Sequence, residues 1–433
     1  MKKATAGILV LLILLFSFPV VYAGTPNIDA RAYILIDSKT GQIIAENNST
    51  QKEYPASTTK IMTAILGLEK GNPDQVMTAS LPAVNDIGEG GMNIGIMAGE
   101  QLKLSDLLHA LLIKSANETA NIIAENVCPT RKDFIDLMNT KADELGATNT
   151  HFVNTCGIHN DEHYTTAGDM AKIARYAMTI PGFREIVKKT HYTMPLTNKH
   201  DKKGWGYLGT TNRLFDYKSD YYTEVTGIKT GYTSQARNCL VASAIDKNGM
   251  ELISVVLGVK NPPGETHAIF KYSKELLEYG FKQFSIQNVI PPNQLVKKVQ
   301  VQDAEKDSQL ELVTAEAFNC ALPLDKNDWN VNSVENINPV IKAPIKKGDV
   351  LGSIKYERNG IRLGEVKLIA AGSVEKSIRT KIADVAGKPF GPIAVIRNIL
   401  KFTAIVLLVL IALRIVLKRI SAAIKTKAQG HEQ

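Results

Sequence analysis

Three short groups of residues in this chain carry side chains that could do acyl-transfer chemistry: Ser57-Thr58-Thr59-Lys60, Ser115-Ala116-Asn117 and Lys229-Thr230-Gly231. A serine hydroxyl is a weak nucleophile at neutral pH and needs a base beside it. In the first group Ser57 and Lys60 stand three positions apart, which on a helix places them on one face. Lys60 serves as that base only if burial or a nearby cation lowers its pKa. In the second group Ser115 would hydrogen-bond Lys60 and pass a proton to a leaving amine, while Asn117 would hold a substrate amide. In the third, Lys229 and Thr230 offer a cation and a hydroxyl to a substrate carboxylate, and Gly231 leaves room for close approach to the backbone. The N–H of Tyr232, with that of Ser57, would form an oxyanion hole. Each group alone has a plainer reading: Ser57 as a helix cap, Ser115-Ala116-Asn117 as a polar kink, Lys229-Thr230-Gly231 as a strand-end turn.

The elements around these residues follow from pattern. Pro55 precedes, and Gly71 and Pro73 end, a run with Ile61, Ala64, Ile65 and Leu68 at helical spacing, so a helix is expected over Ser57–Lys70. The apolar run Leu104–Ile113 and the stretch Glu118–Asn126 place Ser115 and Asn117 near a helix–helix junction. Val225–Thr230, Cys239–Asp246 and Leu252–Val259 read as strands, the last two joined by a Lys247-Asn248-Gly249 turn.

Taken together, the three groups are those of the penicillin-binding proteins and class A β-lactamases. The chain resembles the low-molecular-mass penicillin-binding proteins, the serine D-alanyl-D-alanine carboxypeptidases. Pro55-Ala56-Ser57-Thr58-Thr59-Lys60-Ile61-Met62-Thr63-Ala64 carries the likeness, as do Thr150-His151-Phe152-Val153-Asn154, His163-Tyr164-Thr165-Thr166-Ala167 and Gly227-Ile228-Lys229-Thr230-Gly231-Tyr232-Thr233. It spans roughly Asn27 to Phe281, with a weaker likeness beyond. The resemblance implies an α/β, transpeptidase-like catalytic domain: an antiparallel sheet with helices on its faces and a helical cluster beside it. It implies Ser57 as the acylated nucleophile and Lys60 as its base. Ser115 and Asn117 complete the proton and substrate network, and Lys229, Thr230, Gly231 and Tyr232 line the substrate's end of the cleft. The substrates implied are peptidoglycan stem peptides, with β-lactams as inhibitors, and no metal or cofactor is required.

Two positions depart from the family's pattern. Ala116 stands where glycine is frequent. The arginine that many relatives carry near the start of the helix ending Leu276-Leu277-Glu278-Tyr279-Gly280-Phe281 is absent from His267-Ala268-Ile269-Phe270-Lys271. Lys271 or His267 would replace it, or Lys229 and Thr230 would bind the carboxylate alone. Two further patterns lead elsewhere. His159-Asn160-Asp161-Glu162-His163 fits an inverted zinc-protease motif, but Gly157 before it and Asn160-Asp161 inside it make it a loop. Gly88, Gly90, Gly91 and Gly95 lack the Lys-Ser/Thr of a phosphate loop and read as a turn beside the cleft.

Two other functions compete. A β-lactamase would use the same groups with a deacylating Glu-x-x-x-Asn loop; Glu144 to Asn149 is one residue too long for it. A wall-bound scaffold with a vestigial site is opposed by the intact Ser57, Lys60 and Lys229.

Composition fits an exported protein of 433 residues. Lys2 and Lys3, the apolar run Ile8–Val21 and Val21-Tyr22-Ala23 form a secretory signal with cleavage after Ala23. The catalytic domain is expected over 24–286. Ile290-Pro291-Pro292-Asn293 then opens a small β-rich domain over 287–385, with alternating segments at Leu295–Gln302, Gln309–Thr314, Val350–Tyr356 and Glu365–Ile369. A membrane anchor is expected over 392–418 and a basic tail over 419–433, Ile399–Leu417 being long enough to span a bilayer if Lys401 and Arg414 snorkel. The net charge of +8 divides accordingly: Lys2 and Lys3 supply two, residues 396–433 a net six, and 4–395 are neutral. That distribution excludes a basic nucleic-acid-binding face and assigns the positive charge to membrane topology. Cys128, Cys156, Cys239 and Cys320 contain no C-x-x-C pair, so a zinc ribbon or redox motif is not indicated, and no disulfide pairing is assigned.

Overall fold

The computed structural model describes residues 26–202, 205–216, 224–305, 308–386 and 392–429. The signal peptide expected over 1–23 lies outside the described residues. The chain divides into two compact units. The first runs to Ile290 and takes in Ala317–Val334 and Lys355–Glu365; the second comprises Pro291–Glu316, Glu335–Ile354 and the chain from Val366.

The first unit is built on a five-stranded antiparallel sheet. Its strands are β1 (Ala32–Asp37), β2 (Ile43–Asn47), β3 (Val225–Thr233), β4 (Arg237–Ile245) and β5 (Glu251–Val259), in the order β2-β1-β5-β4-β3. The central strands are nearly continuous apolar runs because both faces of the sheet are covered. Side chains alternate between two cores. Ile34, Ile36, Ile253 and Val255 face a helical cluster, while Tyr33, Leu35, Leu252 and Val256 face the other side with Leu276 and Leu277.

The helical cluster contains α1 (Lys60–Lys70), α2 (Leu104–His109), α3 (Asn117–Val127), α4 (Arg131–Glu144) and α5 (Ala167–Ala177). The opposite face of the sheet is covered by α6 (Ala268–Gln283), whose Ala268, Ile269, Phe270, Leu276 and Leu277 are buried. The α1 helix is buried over its first eight residues, Lys60 included, and α3 over Asn117–Ala124. Both polar ends therefore enter the molecule where the apolar stripes of the two helices pack.

Two local conformations differ from the expected regular helices. Residues Ala56–Thr59 form a 3₁₀ turn, and the α-helix begins only at Lys60. Ala56 has φ 47°, a left-handed value, and the Thr58 hydroxyl donates to Pro55 O at 2.7 Å, which tightens the turn. The run after α2 continues as a π-turn, Ala110–Lys114, and ends on Ser115 at φ 67°. Such irregular turns carry a local cost that persists where the surroundings over-determine them, and they concentrate at functional sites.

Beyond α6, strand β6 (Phe284–Ile290) pairs with β9 (Phe318–Pro323). In the second unit β7 (Leu295–Gln300) pairs with β8 (Gln309–Thr314). The remaining strands are β10 (Val331–Ile337), β11 (Val350–Arg358) and β12 (Ile361–Ala370), and β8 pairs with the end of β12 from Leu368 to Ala370. The chain then forms α7 (Pro392–Gln429). Its segment Ile396–Ser421 is long and apolar enough to cross a membrane.

Candidate active site

Ser57, Ser115, Asn117, Thr230, Gly231 and Tyr232 line one cleft of about 720 Å³. Lys60 and Lys229 are fully buried. The three groups, spread in sequence from Ser57 to Gly231, thus meet at one place.

Lys60 is the hub. Its Nζ lies 2.8 Å from Ser57 Oγ, 2.7 Å from Asn117 Oδ1 and 2.8 Å from the carbonyl oxygen of Cys156. Two of these partners can only accept. The serine hydroxyl alone can also donate. A neutral Lys60 therefore gives its two N–H to Asn117 and Cys156 and turns its lone pair to the Ser57 proton. Burial lowers the Lys60 pKa from 10.5 to about 8, against the opposing influence of Cys156 and Glu118.

The turn bearing Ser57 is held from two sides. Gly157 has φ +88°, and a Cβ there would stand 1.8 Å from Ala56 O. A Cβ on Gly231 would lie 3.0 Å from the Ser57 nitrogen and 3.1 Å from Pro55 O. Strand β3 thus runs directly against the nucleophile's turn, as an oxyanion hole from Ser57 and Tyr232 requires, and glycine permits the approach.

The second group behaves differently from expectation in one respect. Lys60 does not bond Ser115, because its three hydrogen-bonding directions are taken by Ser57, Asn117 and Cys156. Ser115 is buried on the cleft wall. Asn117 uses its amide oxygen on Lys60 and one N–H of Nδ2 on Ile87 O at 2.7 Å, while its backbone N–H donates to Met92 O at 2.7 Å. The second Nδ2 hydrogen is left for a substrate. The glycine-rich segment is the cleft-side turn expected: Gly88, Gly90 and Gly91 line the cleft. Glu118 secures it, accepting from Ile94 N at 2.7 Å. Burial raises the Glu118 pKa.

In the third group Lys229 donates from Nζ to Thr230 O at 2.8 Å. Burial, reinforced by the charge on Lys60, holds its pKa well below 10.5. The Thr230 hydroxyl is 2.6 Å from that of Thr211, and Tyr232 is exposed at the cleft's edge.

Of the two residues expected to replace the missing arginine, His267 lines the cleft, whereas Lys271 is exposed and outside its lining. The reason is the phase of α6: its cleft-facing start presents His267, Ile269 and Phe270. The His159–His163 segment is a loop. His163 has one ring nitrogen 2.8 Å from Thr59 Oγ1 and the other accepting from Val153 N at 3.0 Å. With both nitrogens engaged it has none for a metal. Burial lowers its pKa to about 3, so it is neutral. All four cysteines are free thiols.

Sequence reasoning did not identify Cys156, Thr211 or Arg213 as parts of this site. Cys156 acts through its carbonyl, which every residue has, so no side-chain pattern could have shown it. Thr211 and Arg213 come from a loop that approaches the cleft only through tertiary contact.

Fold and site together define a transpeptidase-like serine enzyme. Residues 20–261 match the D-alanyl-D-alanine carboxypeptidase family, and residues 284–376 match the C-terminal domain of penicillin-binding protein 5. The chain belongs to the D-alanyl-D-alanine carboxypeptidase family. It is 34% identical to the D-alanyl-D-alanine carboxypeptidase DacF of Bacillus subtilis over 359 residues, covering 81% of this chain and 87% of that one. It is 31% identical to DacC of Escherichia coli, covering 81% and 86%. Among solved structures it is similar to penicillin binding protein 5 from Haemophilus influenzae, with 27% identity, a TM-score of 0.63 and 81% and 99% of the two chains covered.

Proposed function

We propose that this protein removes the terminal D-alanine from peptidoglycan stem peptides through an ester on Ser57, with residues 24–286 carrying the chemistry. Ser57 Oγ attacks the penultimate carbonyl while its proton passes to neutral Lys60. The oxyanion that forms is met by the N–H groups of Ser57 and Tyr232. Collapse releases D-alanine, whose nitrogen takes the proton held on Lys60; Ser115, on the cleft wall, would relay it once Ser57 Oγ is esterified and the Lys60 direction it occupied is released. Water then hydrolyses the ester with Lys60 again as base. Asn117 holds Lys60 in place and offers its remaining N–H to the substrate backbone. Lys229, Thr230 and Gly231 shape the end of the cleft that receives the substrate's terminus. Penicillins, entering as mimics of that terminus, acylate the same serine.

One observation carries this reading: of the three atoms around Lys60 Nζ, only Ser57 Oγ can give it a proton. A fluorescent penicillin should label the protein covalently, and Ser57→Ala should abolish the label in a folded variant. Mass spectrometry of a pentapeptide muropeptide digest should show free D-alanine. Persistent labelling of the variant would reject Ser57 as nucleophile. Rapid turnover of penicillin with no D-alanine released would favour the β-lactamase reading.

The expected β-rich domain over 287–385 and the anchor over 392–418 complete the proposal. The helix within Pro392–Gln429 would hold the catalytic domain at the outer face of the cell membrane, where the substrate is.

A further inference from the structure

We propose that Glu118 is a positioning residue for acylation: its buried carboxylate supplies the negative charge that stabilises Lys60 as a cation once Lys60 has taken the Ser57 proton. The inference deepens the carboxypeptidase reading and rests on its assignment of Lys60 as base. In that step the Ser57 Oγ–H bond breaks, the proton goes to the lone pair of Lys60 Nζ, and Oγ bonds the substrate's carbonyl carbon. A cation therefore forms on a fully buried side chain, where water does not solvate it. The three hydrogen-bonding partners of Nζ, on Ser57, Asn117 and Cys156, include no carboxylate.

Glu118 follows Asn117 in the first turn of α3 and is 1% exposed. Its Oε1 accepts from Ile94 N at 2.7 Å. Its Oε2 is buried and has no hydrogen-bond partner among the described residues. A carboxylate oxygen left unpaired in the interior is costly. Other buried carboxylates of this unit are differently placed: Glu53 meets Arg31, Glu100 meets His200 and Asp169 meets Lys172. The charge that acts on Glu118 is that of Lys60, and each favours the charged form of the other. Burial raises the Glu118 pKa, and the backbone N–H groups of Ile94, Glu118 and Ile96 oppose the rise.

The remaining groups around the pair do not supply this charge. Lys229, buried on β3, acts in the opposite sense, because two buried ammonium groups repel. Cys156 also favours the Lys60 cation, but only as a thiolate, and an ordinary thiol is protonated at neutral pH. His163 lies behind Thr59 and is neutral. Glu89 is exposed on the cleft side of the glycine-rich segment.

The test is the pH profile of acylation of the full chain by a fluorescent penicillin, with wild type set against Glu118→Gln and Glu118→Asp. Glu118→Gln keeps an oxygen for Ile94 N and removes the charge. Lys60 then gives up its proton more readily and is a weaker base. The inflection should move from about 8 to about one pH unit lower. The rate on the high-pH plateau should fall about 2- to 5-fold. The profiles therefore cross, the variant being faster than wild type at about pH 6.5 and slower at about pH 9.5. Damaged packing would lower the rate at every pH and give no crossing. Glu118→Asp keeps the charge and should keep the inflection close to wild type. An unshifted inflection in folded Glu118→Gln overturns the assignment. So does an equal shift in Glu118→Asp, which would trace to the Ile94 contact and not to charge. If Glu118→Gln does not fold, the wild type decides. With carbon-13 at its glutamate carboxyls, one resonance should follow the Lys60 step near pH 8 and lose that response in Lys60→Met; no such resonance overturns the assignment. Wild-type acylation that does not rise through about pH 8 would instead remove Lys60 as base, and the proposal with it.

Discussion

The chemistry of this site depends on keeping one lysine neutral. Lys60 is enclosed by groups that leave it no counter-ion in contact, and its pKa falls to about 8. At pH 7 roughly a tenth of the molecules then hold the free amine, against under one in a thousand for an ordinary lysine. The sign follows directly: the base form is the deprotonated one, so acylation should accelerate as pH rises through about 8 and level off above it. Stopped-flow labelling with a fluorescent penicillin between pH 6 and 10 measures this. A profile that is flat or falls with pH would remove Lys60 from the role of base. Lys60→Arg should lose acylation at every pH in the range, since a guanidinium does not deprotonate there. Ser57, Lys60, Asn117 and Lys229 were legible in the sequence because acyl transfer needs those side-chain types at fixed spacing. The Cys156 carbonyl was not, because backbone acceptors leave no trace in residue identity. Nor was the geometry at Ser115, which follows from a π-turn that local propensity does not distinguish from α-helix.

At the scale of elements, three pieces of chain position the nucleophile: the 3₁₀ turn Ala56–Thr59, the loop through Gly157 and the edge strand β3. The strands and the covered sheet were readable from apolar runs and turns, because burial on both faces imposes a simple pattern. The approach of the Gly157 loop to the nucleophile's turn joins residues a hundred positions apart and has no local signature. It makes a sharp prediction. Gly157→Ala would force a Cβ to 1.8 Å from Ala56 O and place an L residue at φ +88°. The turn must shift, so penicillin acylation should drop by at least about tenfold, beyond the backbone cost of about 1–2 kcal/mol. Gly146→Ala separates the two effects. Gly146 has φ +72° but nothing within 4 Å of its would-be Cβ, so this variant should show the backbone cost as a lowered Tm and keep wild-type acylation. Equal acylation in both variants would show that the Gly157 contact does not position Ser57.

For the whole molecule, the question is whether α7 spans a membrane, as the proposed anchor would. A helix lying on the surface needs a polar face. Residues Ala404 to Leu413 are ten consecutive apolar positions, which cover every direction around a helix. Extending the stretch to Ile399–Leu417 gives 19 residues, about 28 Å at 1.5 Å per residue, close to the hydrocarbon thickness of a bilayer. Lys401 and Arg414 then lie near the two interfaces, where long side chains reach the headgroups. The flanks are unequal: Arg397 and Lys401 precede the apolar core, while Arg414, Lys418, Arg419, Lys425 and Lys427 follow it. The more basic flank stays in the cytoplasm, so an exported catalytic domain and an internal tail are mutually consistent. Ser421→Cys tests this with an impermeant thiol reagent on intact cells, against the background of the wild-type chain and with exposed Asn248→Cys as the accessible control. The expected outcome is labelling of Asn248→Cys on intact cells and of Ser421→Cys only after permeabilisation. Labelling of both on intact cells would reject the spanning helix and place α7 on the outer leaflet, with its basic residues among anionic headgroups.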